Sequence, residues 1–133
     1  MRHSSSRPAA RAGFTLVELL IVIVIVGVLA AVAIPRFANT TGKANLANVR
    51  SDLHNLVTAQ ESYFHEHGAY APSVALLRAS PSRGVVLTIV ESTATGWSAT
   101  AVHPAAVPVT CAVYYGGAAA LAPAVTEGVI ACQ

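Results

Sequence analysis

Glu18 is the first side chain to consider for chemistry. It is the lone ionisable residue between Phe14 and Ile34, in a run that reads FTLVELLIVIVIVGVLAAVAI. An ionised carboxylate on a lipid-facing helix costs several kcal/mol, so an acid placed there is a functional residue by default. The ordinary alternative puts Glu18 at headgroup level, where the cost is small. Enzyme-like constellations are thin elsewhere. Glu61 and His65 are four apart and share a helix face, which gives a solvated ion pair or, less simply, part of a metal site. His65 and His67 are two apart and diverge on a helix. A serine triad would have to use Asp52, the one aspartate, and no serine stands in a nucleophile-elbow motif. No glycine-rich phosphate loop follows a strand. After Val90 the only acids are Glu91 and Glu127, too few for a calcium loop. No cofactor, no metal and no enzyme activity are expected.

The element that must carry Glu18 is an apolar helix. About 21 residues from Phe14 span roughly 31 Å as an α-helix, enough to cross a bilayer core. Pro35 and Gly42 interrupt the pattern and mark a helix bend. Beyond them Leu46, Val49, Leu53, Leu56, Val57 and Phe64 recur at three- and four-residue spacing, an amphipathic helix. The expectation is one long bent helix from about Phe14 to about His67, roughly 80 Å long, with Gly68 as its C′ residue. Tyr70 and Leu77 then fold back over the helix end.

From Gly84 the period becomes extended. Val85–Val90, Trp97–Val102 and Cys111–Tyr115 read as three antiparallel strands, with a turn at Ala94-Thr95-Gly96 and the last strand closed by Gly116-Gly117. Laid on the apolar helix stripe, they predict an α+β fold in which a long N-terminal helix, membrane-spanning in its first half, packs on a small antiparallel sheet. Trp97, Tyr114 and Tyr115 serve either as a stacking surface or, better supported, as sheet packing. The division is 1–13, 14–35 and 36–133. The last part holds the helix half to about 67, a sheet at about 84–116 and a C-terminal loop at 111–132.

The formal charge of +2 misleads, because Arg2, Arg7 and Arg11 precede Gly13. Without them five cations face six acids, about −1, which argues against a nucleic-acid partner. Those three arginines keep the N-terminus cytoplasmic by the positive-inside rule, with the C-terminal part outside. Cys111 and Cys132 are the only cysteines, and an even count in an oxidising compartment reads as a disulfide. Neither a redox pair nor a metal site fits their spacing.

The string Gly13-Phe14-Thr15-Leu16-Val17-Glu18, between a basic leader and an apolar run, resembles the class III signal of type IV pilins and type II secretion pseudopilins. The resemblance covers residues 12–40 specifically and the remainder more loosely. It implies cleavage between Gly13 and Phe14 by a prepilin peptidase, N-methylation of Phe14, and Glu18 as the assembly carboxylate. The new amine would lie one helical turn from Glu18, so the carboxylate of one subunit could pair with the Phe14 amine of the next. Such a pair neutralises two charges that are each costly in an apolar setting, and so penalises a wrong stagger. A secretory signal peptide cut at Ala31-Val32-Ala33 is the competing processing, but it leaves a glutamate inside the h-region.

The expected product is a homo-oligomeric filament subunit, drawn from the inner membrane by an assembly platform into a surface pilus or a periplasmic pseudopilus. A type II secretion pseudopilin is the alternative within the family. A membrane-anchored binding module that never polymerises is the alternative outside it.

Overall fold

The computed structural model describes residues 13–133, and the leader arginines lie outside them. The chain divides after Arg36 into a unit ending there and a second unit, Phe37–Gln133. A single helix, α1 (Leu16–His67), contributes to both. Within the first unit its side chains are almost all exposed, Leu16 at 81% and Ile34 at 69%. Pro35 lies inside the helix rather than at its end, where its ring withdraws one donor from the ladder.

In the second unit α1 buries the predicted stripe. Val49, Leu53 and Leu56 are fully buried against Trp97, Ala99, Ala101, Cys111 and Val113, with Leu46 and Val57 packed at the margin. Burying each leucine is worth about 1.5–3 kcal/mol. The helix ends as the sequence implies. Gly68 takes φ +72°, and its N–H donates to the Phe64 carbonyl at 2.8 Å, a left-handed cap that glycine adopts without a Cβ penalty.

The connection after the helix holds three features that apolar periodicity does not signal. Val74–Leu77 forms a 3₁₀ turn where only irregular chain was expected. Buried Gln60 donates to the Ala71 carbonyl at 3.0 Å and accepts from the Ala71 N–H at 2.9 Å. Asp52, only 4% exposed, accepts from the Ser82 N–H at 2.7 Å and the Ser82 hydroxyl at 3.0 Å.

The sheet has four antiparallel strands in sequence order, not three: β1 (Val86–Ser92), β2 (Gly96–Val102), β3 (Thr110–Gly116) and β4 (Ala131–Cys132). The fourth is only two residues long, too short to show a period. It is fixed by the register of Cys111 opposite Cys132 and by paired main-chain bonds between Thr110 and Gln133 at 3.1 and 2.9 Å. A bulge between Ile89 and Glu91 carries β1 on to Ser92, two residues past the expected end.

The tail between β3 and β4 is not loose. Trp97, Ala99 and Ala101 face the helix, so Ser98 faces away, yet it too is buried. Residues 117–130 supply the cover. The Ala119 N–H reaches the Glu91 carboxylate on β1, and the Tyr114 hydroxyl on β3 donates to the Val125 carbonyl. The Gly116 N–H donates to Glu127 at 2.7 Å, and Ala124 is fully buried.

Candidate functional site

At the start of α1, Gly13 and Phe14 precede the first helical residue and are both exposed. Thr15 is the N-cap. The Thr15 N–H and the Thr15 hydroxyl each donate to Glu18 Oε2 at 3.0 Å, and the Glu18 N–H donates to Thr15 Oγ1 at 3.2 Å. This is a reciprocal capping box, which satisfies helix-end donors that hydrocarbon could not. It also draws the Glu18 carboxylate back toward the end of the helix, where the positive pole of the macrodipole favours an anion. Thr15 is thus a site residue that the reading of chemistry-bearing side chains passed over. The signal was present, since Thr-x-x-Glu ahead of an apolar run is itself a capping-box signature.

Around this end the site is apolar and uncovered. Among the described residues one helix is long and apolar enough to cross a membrane, and none of its most apolar window is buried within the chain. Every side chain from Leu19 to Val26 is exposed, and no Cβ added at Gly27 would meet any atom within 4 Å. An apolar surface of this extent has to be covered by lipid or by another protein.

Gly42, placed beside Pro35 as a bend residue, has a second role in the second unit. The Val107 N–H donates to its carbonyl at 3.3 Å, and a Cβ there would come within 3.2 Å of Val107 Cγ2. Asn45 Nδ2 donates to the Ala105 carbonyl at 3.1 Å. The absent side chain therefore lets the 103–109 loop lie directly on the helix.

Cys111 and Cys132 are joined, closing a sequence separation of 21 residues. Trp97 is fully buried between Tyr70 (ring centroids 6.5 Å apart) and Tyr115 (5.5 Å), so it packs in the core and offers no stacking surface. Its Nε1–H is a buried donor without a partner among the described residues. Burial, with the Glu61 charge second, holds the Tyr70 phenol above the ordinary tyrosine value, and the Tyr70 hydroxyl donates to Glu61 at 3.3 Å. Tyr115 is raised in the same sense, by burial first and then by Glu61 and Glu127.

Among the described residues no three His, Cys, Asp or Glu side chains gather as a metal site. A groove of about 500 Å³ runs between α1 and the 3₁₀ turn, lined in part by Ser62, Tyr63, Glu66, His67 and Arg78.

Residues 8–34 match the family described as the prokaryotic N-terminal methylation motif. The chain is 40% identical over 84 residues to the type IV major pilin protein PilA of Myxococcus xanthus, covering 63% of this chain and 38% of that protein. It is 36% identical over 96 residues to a type IV wide pilus major component of Thermus thermophilus, covering 68% and 72% respectively. A fimbrial protein of Pseudomonas aeruginosa is 45% identical over 53 residues, 40% of this chain and 34% of the relative. The match to the Myxococcus and Pseudomonas proteins thus spans little more than a third of their length.

Proposed function

The chain belongs to the type IV pilin family, and from that premise we propose that it is a structural subunit of a type IV pilus. It enters the inner membrane through its apolar helix with its N-terminus cytoplasmic. Prepilin peptidase cuts between Gly13 and Phe14 and methylates Phe14. An assembly platform then moves the mature chain into a homo-oligomeric filament at the cell surface.

The observation that carries this reading is an apolar helix left uncovered by its own chain, with a carboxylate one turn from the proposed new amine. Stacked helices bury that surface against one another. Pairing Glu18 of one copy with the Phe14 amine of the next then selects the stagger, because a wrong offset leaves an uncompensated charge in an apolar core. The type II secretion reading gains nothing from the relatives above, each of which is named as a pilus or fimbrial component.

The test is mass spectrometry of the sheared surface fraction of the native cells. An abundant peptide that begins at Phe14 and carries one added methyl is expected. Finding that peptide only in the membrane fraction would overturn the surface-filament reading in favour of a pseudopilin or an anchored module.

A further inference from the structure

Four aromatic rings touch in succession through the second unit. Phe64 stacks on Tyr70 with ring centroids 4.7 Å apart, Tyr70 meets Trp97 at 6.5 Å, and Trp97 stacks on Tyr115 at 5.5 Å. Trp97 is the only tryptophan of the chain and is fully buried. Its Nε1–H is the one buried side-chain polar group without a hydrogen-bond partner among the described residues. Leaving that donor unpaired costs stability that a phenylalanine in the same place would keep.

Indole and phenol rings give up one electron far more readily than a phenyl ring. An indole radical cation in water sheds its Nε1 proton and becomes a weaker oxidant. Trp97 has no acceptor for that proton, so its radical cation keeps its oxidising strength. A phenol is hard to oxidise unless its proton leaves with the electron, which takes a base within hydrogen-bond reach. The two tyrosines beside Trp97 differ in this respect. The Tyr70 hydroxyl donates to the Glu61 carboxylate at 3.3 Å, whereas the Tyr115 hydroxyl donates to the Gly128 carbonyl at 3.4 Å. A carboxylate takes up a proton; a main-chain carbonyl does not. Burial, with the Glu61 charge second, keeps both phenols protonated at rest, so the proton is there to move.

We propose that Trp97, Tyr70 and Glu61 form a radical relay that carries an oxidising equivalent out of the core. A small oxidising radical, itself reduced to its anion, takes one electron from the Trp97 indole. Tyr70 returns that electron to Trp97 and passes its hydroxyl proton to Glu61. The products are an intact indole, a neutral Tyr70 phenoxyl radical and a protonated Glu61 carboxyl. Tyr70 and Glu61 are half-buried, so a soluble one-electron reductant such as a thiolate reaches the phenoxyl. The Glu61 proton then returns to the Tyr70 oxygen. Phe64, next to Tyr70, is too hard to oxidise to carry the radical further. The relay spares Trp97 the irreversible oxidation that would break the packing of the core. It lies within one chain and does not depend on filament formation.

Because Trp97 is the single indole, its radical can be followed alone. A laser flash at a wavelength that only the indole absorbs photo-ionises the full chain in detergent micelles, ejecting an electron from Trp97 into water. Transient absorption then reads the radicals. The indole radical cation should decay as a tyrosyl signal rises. Tyr70→Phe keeps the ring packing and should abolish that rise. Glu61→Gln keeps an acceptor for the hydroxyl but not a base. It should slow the transfer roughly tenfold or more, the effect of losing a hydrogen bond to a charged group. Tyr115→Phe should leave the transfer unchanged. A deprotonated, neutral indole radical in the unaltered protein, an undiminished tyrosyl signal in Tyr70→Phe, or an unchanged rate in Glu61→Gln would each overturn the proposal.

Discussion

Glu18 and Thr15 hold each other through three hydrogen bonds, two from Thr15 to the carboxylate and one returned from the Glu18 N–H. The acid is therefore not a bare charge on an apolar helix while the chain stands alone. Its donors come from the first turn, and a filament partner would have to compete with or add to them.

Glu18→Ala should abolish filament incorporation while the head still folds, read as loss of the sheared surface fraction with unchanged head thermal stability. Thr15→Val should act more mildly. It removes the hydroxyl from both of its bonds, a capping loss of about 1 kcal/mol, but leaves the Thr15 N–H on the carboxylate. Equal loss of filaments in the two variants would mean that the cap, not the charge, is what assembly needs.

Gly42 poses a contest of two terms. Alanine in a helix interior gains about 0.5–1 kcal/mol over glycine, but its Cβ would sit 3.2 Å from Val107 Cγ2. The 69% exposed Val107 can yield by a few tenths of an ångström, so Gly42→Ala should be close to neutral in thermal unfolding. With Val107→Ala the same change should stabilise by up to about 1 kcal/mol. Gly42→Leu should destabilise, since nothing so small a shift can do would admit the side chain.

Gln60→Leu should be far costlier than its near-equal volume suggests. It strips the Ala71 N–H and carbonyl of their partners inside the core, at about 1–3 kcal/mol for each orphaned group. Denaturant unfolding of the purified protein measures it, and a change below about 1 kcal/mol would contradict the buried clasp.

Tyr70 and Tyr115 should make the stability of the head fall in alkali. Both phenols are raised above their ordinary value of 10.0, so the folded state favours the protonated form. Their contribution is complete below the ordinary value and is lost as pH climbs through the raised one. Thermal stability should therefore fall above about pH 10, and ultraviolet titration should show both tyrosines ionising late. Glu61→Gln should bring both back toward the ordinary value, because the Glu61 charge acts on each.

Cys111→Ser with Cys132→Ser should cost about 3 kcal/mol, the chain-entropy value for a loop of this size. The loss should fall first on β4, which is only two residues long and is otherwise held by its short pairing with Cys111 and Ala112 and by the bonds between Thr110 and Gln133. Hydrogen exchange at Thr110 and Gln133 should then rise before that of β2.

Much of this architecture was legible wherever a residue pattern repeats. Leu46, Val49, Leu53 and Leu56 announce the buried helix face, Gly68 its end, and the β-branched run before Val90 the first strand. What stayed hidden depends on single polar contacts between distant residues. Nothing in the neighbours of Gln60 marks it as the partner of Ala71, and nothing near Asp52 points to Ser82. β4 is shorter than any period, so only its pairing reveals it. Thr15 is written in the sequence too, as the first residue of a Thr-x-x-Glu pattern, but its hold on the carboxylate shows only in the hydrogen bonds to Glu18.

The bond between Cys111 and Cys132 makes a covalent ring of everything between them, the covering segment 117–130 included. A protease that cuts one exposed peptide inside that ring opens the chain without releasing a piece of it. Damage to this part of the surface is thus retained in place, and a subunit nicked there stays attached at both ends of the break.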